Sequence, residues 1–273
     1  MMYQTKKSLL FFSEDHLAEE KGFTLVELAI ALMVIGLLIG GVLKGQELIE
    51  NAKITRTAKD ITDIDTATMI FRSTYNYLPG DLPRAHSRLP NCPQATCGYT
   101  PNAGGPLNLR LGNSRIDYGP KWANFWVHLD RAGLLSGVQN FDVLGDDYNY
   151  CSGPENVFGG RWFVTFLNNN TSGSLRENTY QDGANYFRIT DATSTQTGYG
   201  DCHYVRANWR NTRNIDMKLD DGKPFSGVMR TGYETEAARR SCHSATEPNT
   251  YMNADAPLRG IECSSYIFLS GLN

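Results

Sequence analysis

Residues Phe23 to Leu43 read FTLVELAIALMVIGLLIGGVL; sixteen of the 21 are apolar, three are Gly, and only Glu27 is charged. A helix rising about 1.5 Å per residue over this stretch spans a hydrocarbon core of about 30 Å. No other feature constrains the chain as strongly, because such a helix must end up in lipid or against other apolar helices. The preceding residues 1–22 are polar, with Lys6, Lys7 and Lys21 beside Glu14, Asp15, Glu19 and Glu20, and only Lys44 follows the span closely. Counting Lys and Arg alone, the N-terminus is expected to stay cytoplasmic and the rest of the chain to lie on the far side of the membrane.

Two ordinary explanations of the span fit poorly. A secretory signal has a shorter apolar run, about 7–15 residues, and a small-residue cleavage site; Val42-Leu43-Lys44 is not one. A plain anchor leaves Glu27 unexplained. A carboxylate within a span costs roughly 2.5–3.5 kcal/mol on insertion scales, so it calls for a partner. A free α-amine close to the helix start would serve, provided the chain is cut just before the apolar run.

Helical spacing continues beyond the span. Leu48, Ala52, Ala58, Ile61, Ile64, Thr68, Phe71, Tyr75 and Leu78 form an apolar stripe, with an interruption near Thr55, while Glu47, Glu50, Lys53, Arg56, Lys59, Asp60 and Asp63 lie largely off it. Pro79-Gly80 ends the pattern. Residues 23–78 are therefore predicted as one helix, apolar all round in its first half and amphipathic in its second.

The run Lys21-Gly22-Phe23-Thr24-Leu25-Val26-Glu27-Leu28 resembles the prepilin signature shared by type IV pilins and the pseudopilins of type II secretion. The likeness lies in Gly before the cut, Phe as the new N-terminus, Glu as its fifth residue, and the apolar helix that follows. The resemblance implies a leader over residues 1–22, cleavage by a prepilin peptidase between Gly22 and Phe23, and methylation of the Phe23 amine. It also implies that Glu27 meets the Phe23 amine of a neighbouring subunit. The remaining partners it implies are other pilin or pseudopilin subunits, an inner-membrane assembly platform, and membrane lipid before assembly. The expected place is the bacterial inner membrane with a periplasmic head, then a periplasmic pseudopilus or a surface pilus. Gly36 with Gly40 and Gly41 with Gly45 make two small-xxx-small pairs that would let helices approach closely. Against this stands the plain reading that Gly is common in membrane helices; the cluster could also act as a flexible point, since Gly weakens a helix by about 1 kcal/mol per residue.

The remainder, residues 79–273, differs in composition. All 11 Pro lie between Pro79 and Pro257, and all six Cys between Cys92 and Cys263. With 14 Tyr, 12 Phe and 4 Trp in the whole chain, a packed core is expected. Trp122, Phe125, Trp126, Leu129 and Ala132 predict an amphipathic helix over 121–135, with His128 beside its apolar face. Strands are expected over 161–167, 185–190, 202–209 and 260–269. A long helix beside an antiparallel sheet makes an α+β head, the arrangement the pilin resemblance also implies.

Ile215 and Leu219 predict a short helix capped at Gly222. Asp220 and Asp221 then sit at its C-terminus, where the macrodipole disfavours anions. With Asp216 they make a candidate calcium site; an Asp-Gly turn held by local hydrogen bonds is the alternative. The residues around Trp126, His128 and Leu129, around Pro79-Gly80-Asp81, and from Ile215 to Gly222 also resemble those of a bacterial group of large prepilin-type proteins.

Six Cys in an extracytoplasmic head should be oxidised, and six allow 15 pairings. Cys92–Cys97 is favoured by proximity, followed by Cys151–Cys202 and Cys242–Cys263. A metal site at Cys202-His203 or Cys242-His243 is disfavoured, because neighbours in a strand point to opposite faces. The net charge of −3 and pI near 6.0 argue against a broad nucleic-acid surface. There is no P-loop, His-Glu-x-x-His or Gly-x-Ser-x-Gly motif, so the expected role is structural and not enzymatic. The other expectation is a binding module at a filament tip, an adhesin or DNA-uptake subunit, suggested by the size of the head and by Tyr204, Arg206, Trp209 and Arg210.

Overall fold

The structure, a computed structural model, describes residues 22–93, 97, 111–116, 119–138, 153–167, 183–189, 209–232, 250–251 and 264–273. The chain divides into two compact units, residues 1–48 and 49–273. Helix α1, Leu25–Tyr75, runs through both.

In the first unit α1 is a bare apolar helix. Leu25, Leu28, Leu32, Leu37 and Leu43 are all more than half exposed, and α1 is long and apolar enough to cross a membrane. Nothing lies within 4 Å of where a Cβ would stand on Gly36, Gly40, Gly41 or Gly45. Among the described residues these glycines thus relieve no crowding.

In the second unit α1 buries Ile54, Thr57, Ile61, Ile64, Ala67, Thr68 and Phe71. This corrects the predicted stripe at its start: Leu48 and Ala52 are exposed, and Ile54 and Thr57 take the inward positions. The helix also stops at Tyr75, three residues before Leu78, where Asn76 enters the left-handed region at φ 60°. Thr tolerates burial here because its hydroxyl is satisfied within the helix. Thr57 donates to Lys53 O at 2.9 Å and Thr68 to Ile64 O at 2.8 Å. Exposed Thr55, Thr62, Thr66 and Thr74 do the same four residues back. Such back-bonding removes the penalty of an orphaned buried hydroxyl, at a small cost in helix regularity.

A short helix α2, Ala85–Arg88, and helix α3, Gly119–Arg131, follow. Then come β1 (Trp162–Leu167), β2 (Ala184–Ile189), helix α4 (Trp209–Leu219), β3 (Met229–Gly232), β4 (Ser264–Ile267) and a 3-10 turn, Ser270–Leu272. The strands form one antiparallel sheet in the order β1-β2-β4-β3. The fold is α+β, as expected. β1, β2 and β4 fall within the expected strand runs; β3 does not, because its four residues are too short and too polar to show a period. Helix α4 is longer than the predicted helix and begins at Trp209, where a strand was expected to end; residues 202–208 lie outside the described residues.

Every residue of β2 is buried, and side-chain alternation sorts them between two layers. Phe187 and Ile189 join the main core with Trp126, Phe125 and Trp162, whereas Ala184 and Tyr186 pack with Tyr266 on the other face. In the main core the Trp126 and Phe187 rings meet edge to face at 5.2 Å, and Trp122 and Phe163 likewise at 5.2 Å. Each such pair adds roughly 0.5–1.5 kcal/mol beyond area burial. The α1 side chains belong to the same cluster, with Phe71 stacked on His128 at 6.1 Å. The C-terminal segment is tied to α1: Gly271 N and Ser270 Oγ donate to the Asp65 carboxylate at 2.7 and 2.8 Å.

Candidate functional sites

The first candidate site is the start of α1. The sequence Thr24-Leu25-Val26-Glu27 forms a reciprocal cap. Glu27 N donates to Thr24 Oγ1 at 3.2 Å, and Glu27 Oε2 accepts from Thr24 N and from Thr24 Oγ1, both at 2.9 Å. The pattern Thr-x-x-Glu before an apolar run is a capping box, a signal present in the sequence itself. Glu27 therefore has a partner within its own chain, which lowers the cost of carrying a carboxylate at the head of an apolar helix. The cap engages Oε2 and leaves Oε1 for a second donor. Phe23, immediately before the cap, is 91% exposed. A positive amine created at Phe23 would face the positive end of the helix dipole, which disfavours it; a carboxylate at Glu27 offsets this.

The second candidate is the α4–β3 junction. Asp216, on the last turn of α4, is fully buried. Its Oδ2 accepts from the Tyr251 hydroxyl at 2.8 Å, and its carboxyl also shares a hydrogen bond with the Asp220 carboxylate. Asp220 and Asp221 follow, and one oxygen from each of the three carboxylates lies within 4.8 Å of the others. Asp220 is held by backbone donors: Asp221 N at 2.6 Å, Met229 N at 3.1 Å and Val228 N. Asp221 accepts from Lys223 N at 2.9 Å and Ser226 Oγ at 2.7 Å. The turn is thus built by these acids, which explains why they tolerate a helix C-terminus: the amide dipoles of the turn replace what the macrodipole denies. Gly227, at φ +74°, is required because a Cβ there would overlap Asp220 Oδ2.

Burial pushes the Asp216 carboxyl up to about 9, assisted by its hydrogen bond to Asp220 and the charges of Asp220 and Asp221, with Tyr251 opposing. For Asp220, burial acts upward but the bonds from Asp216, Asp221, Met229 and Val228 outweigh it, so its carboxyl lies below the ordinary value. Burial, then the Asp216 charge, raises the Tyr251 phenol. Tyr251 was not legible as a partner, since it lies 35 residues away.

Other predicted residues prove architectural. His128 is buried; its Nδ1 accepts from Gly80 N at 2.9 Å, so Nε2 carries the proton toward Cys97 O at 3.3 Å. Burial lowers its pKa to about 4, against the bond to Cys97. Cys92 and Cys97 form the expected disulfide, with Cα atoms 5.3 Å apart. Cys151, Cys202, Cys242 and Cys263 lie outside the described residues, as do Tyr204 and Arg206. Beside α1, a cleft lined by Arg56, Asp60, Leu135, Glu155 and Arg161 carries both signs of charge. Arg161 stands 3.6 Å from Glu155 and Arg56 3.9 Å from Asp60, so no uniform field is offered to a charged ligand.

Residues 18–43 match the prokaryotic N-terminal methylation motif, which is the prepilin-type signature. No curated protein and no solved structure matches the chain. The motif supports a type IV pilin-like or pseudopilin-like subunit, and it implies processing by a prepilin peptidase and assembly with other pilins. The single N-terminal apolar helix fits a single-pass anchor.

Proposed function

We propose that this chain, carrying the prepilin-type signature at residues 18–43, is a minor pilin or pseudopilin. In this reading it is cut between Gly22 and Phe23, methylated on the Phe23 amine, and drawn from the inner membrane into a filament. The observation that carries the reading is the methylation motif itself. The start of α1 supports it physically. Thr24 holds one oxygen of Glu27, which fixes the carboxylate one turn from the new amine position and leaves its other oxygen for a neighbouring subunit's amine. The exposed apolar length of α1 would be covered first by lipid and then by other subunits' helices. In this reading the head contributes surface to the filament.

Mass spectrometry of the mature N-terminus tests the reading. The expected product begins at Phe23 and carries one added methyl group. A chain retaining its leader in a host with an active prepilin peptidase would overturn it.

A further inference from the structure

We infer that Lys121 and Asn113 are a self-modification site: the Lys121 amine displaces the side-chain nitrogen of Asn113 and forms an isopeptide bond, with Asp81 carrying the protons. The groups this reaction needs stand together. Lys121 Nζ, the nucleophile, lies 2.8 Å from Asn113 Oδ1, so the acyl carbon is one bond beyond an atom it already touches. Asp81 Oδ1, the base, lies 2.9 Å from the same Nζ. Arg115 N donates to Asn113 Oδ1 at 3.1 Å, which polarises the carbonyl and supports the negative charge that grows on its oxygen during attack. Arg115 O accepts from Nζ at 2.8 Å and steadies it beside the amide.

The surroundings favour this reaction over its alternatives. Lys121 and Asp81 are each 1% exposed, so bulk water does not compete with the amine. Asn113 is only half-buried, which gives the departing nitrogen a way out. Gly112 N and Ser114 N hold the two oxygens of Asp81 and fix its carboxylate beside Nζ. Asp81 is the base and Asn113 the electrophile, because a carboxylate's negative charge repels a nucleophile and a neutral amide does not.

Nζ begins as an ammonium with three protons. One passes to Asp81 Oδ1 and frees the lone pair, which attacks Asn113 Cγ. In the tetrahedral adduct Asp81 gives its proton to Nδ2 and takes another from Nζ. The Cγ–Nδ2 bond breaks, ammonia leaves, and the new amide keeps the last proton while Asp81 ends as a neutral carboxyl. No oxidant or cofactor is consumed. A buried ion pair, costly to desolvate, is exchanged for neutral groups. The bond ties the turn that receives Asp81 to the first turn of α3, and it requires no partner subunit.

Tryptic mass spectrometry of the full-length chain, purified in detergent micelles, tests the inference. An unreacted chain releases residues 111–115 and 116–121 as separate peptides. The cross-linked chain resists cleavage after Lys121 and yields residues 111–115 joined to 116–131, lighter than their sum by one ammonia. That joined peptide is the expected product. Asn113→Ala, which leaves Lys121 and Asp81 in place, and Lys121→Arg should both abolish it. Asp81→Asn, followed over time after synthesis, should slow its formation by roughly 10²-fold or more, the usual contribution of a positioned acid–base group. The inference is overturned if the wild type gives only separate peptides. It is equally overturned if peptide 111–115 alone loses ammonia, since that is ring closure of Asn113 onto Ser114 N.

Discussion

Tyr251 donates its phenolic proton to Asp216 Oδ2 at 2.8 Å inside the head, joining residues 35 apart in the chain. The Asp216 carboxyl is shared between this bond and a second one to Asp220. Tyr251→Phe should cost about 1–3 kcal/mol, because a buried carboxyl then loses a neutral donor. The pH dependence follows from the raised Asp216 pKa. The folded value, about 9, lies above the ordinary carboxylate value of 3.8, so the folded chain holds the extra proton between the two. That stability is fully present below the carboxylate range and is lost progressively as pH rises to about 9. Urea melts in chelator between pH 5 and pH 9 should show the decline, and Asp216→Asn should flatten it.

His128 acts on the opposite limb. Its folded value of about 4 lies below the ordinary 6.5, so the unfolded chain takes up the proton first. The contribution is fully present above pH 6.5 and is lost as pH falls towards 4, by about 3 kcal/mol in all. His128→Gln, which keeps an acceptor for Gly80 N and a donor for Cys97 O, should melt with a shallower slope over that window.

Lys121 and Asp81, both 1% exposed, form an ion pair at 2.9 Å. Asp81 also accepts from Gly112 N and Ser114 N, while Lys121 donates to Asn113 Oδ1 and Arg115 O. The pair therefore clamps the Pro79-Gly80-Asp81 exit of α1 to residues 112–115. Lys121→Met strands a buried carboxylate and should cost about 3–5 kcal/mol. Replacing both, with Asp81→Asn added, should recover part of the loss, because the remaining groups are neutral. Chemical denaturation of the two variants checks this.

At the start of α1, Glu27→Gln separates cap from charge. The amide oxygen can still accept from Thr24, so helix formation and membrane insertion should persist. Incorporation into filaments should fall as strongly as in Glu27→Ala, since both lack the charge for a neighbouring amine. Thr24→Ala removes the cap alone and should cost about 0.5–2 kcal/mol of helix stability. Membrane fractionation reports insertion and sheared-filament yield reports assembly. Normal filament incorporation of Glu27→Gln would remove the charge-pairing role.

The sequence by itself determined the parts governed by local rules. The apolar run, the capping box and the Pro79-Gly80 stop specify α1, because helical hydrogen bonds close within four residues and hydropathy needs no distant partner. The alternating and aromatic runs specify α3, β1 and β2 for the same reason, and the proximity of Cys92 and Cys97 specifies their disulfide. Only the tertiary structure decided which residues of the amphipathic half face inward, replacing Leu48 and Ala52 with Ile54 and Thr57. It alone made His128 a buried neutral bridge, paired Lys121 with Asp81, and brought Tyr251 to Asp216. These outcomes depend on burial and on contacts between segments distant in sequence. The acids at 216, 220 and 221 show the division most clearly. Their spacing is visible in the sequence, but the buried Asp216–Tyr251 pair exists only once α4 and Tyr251 have packed together.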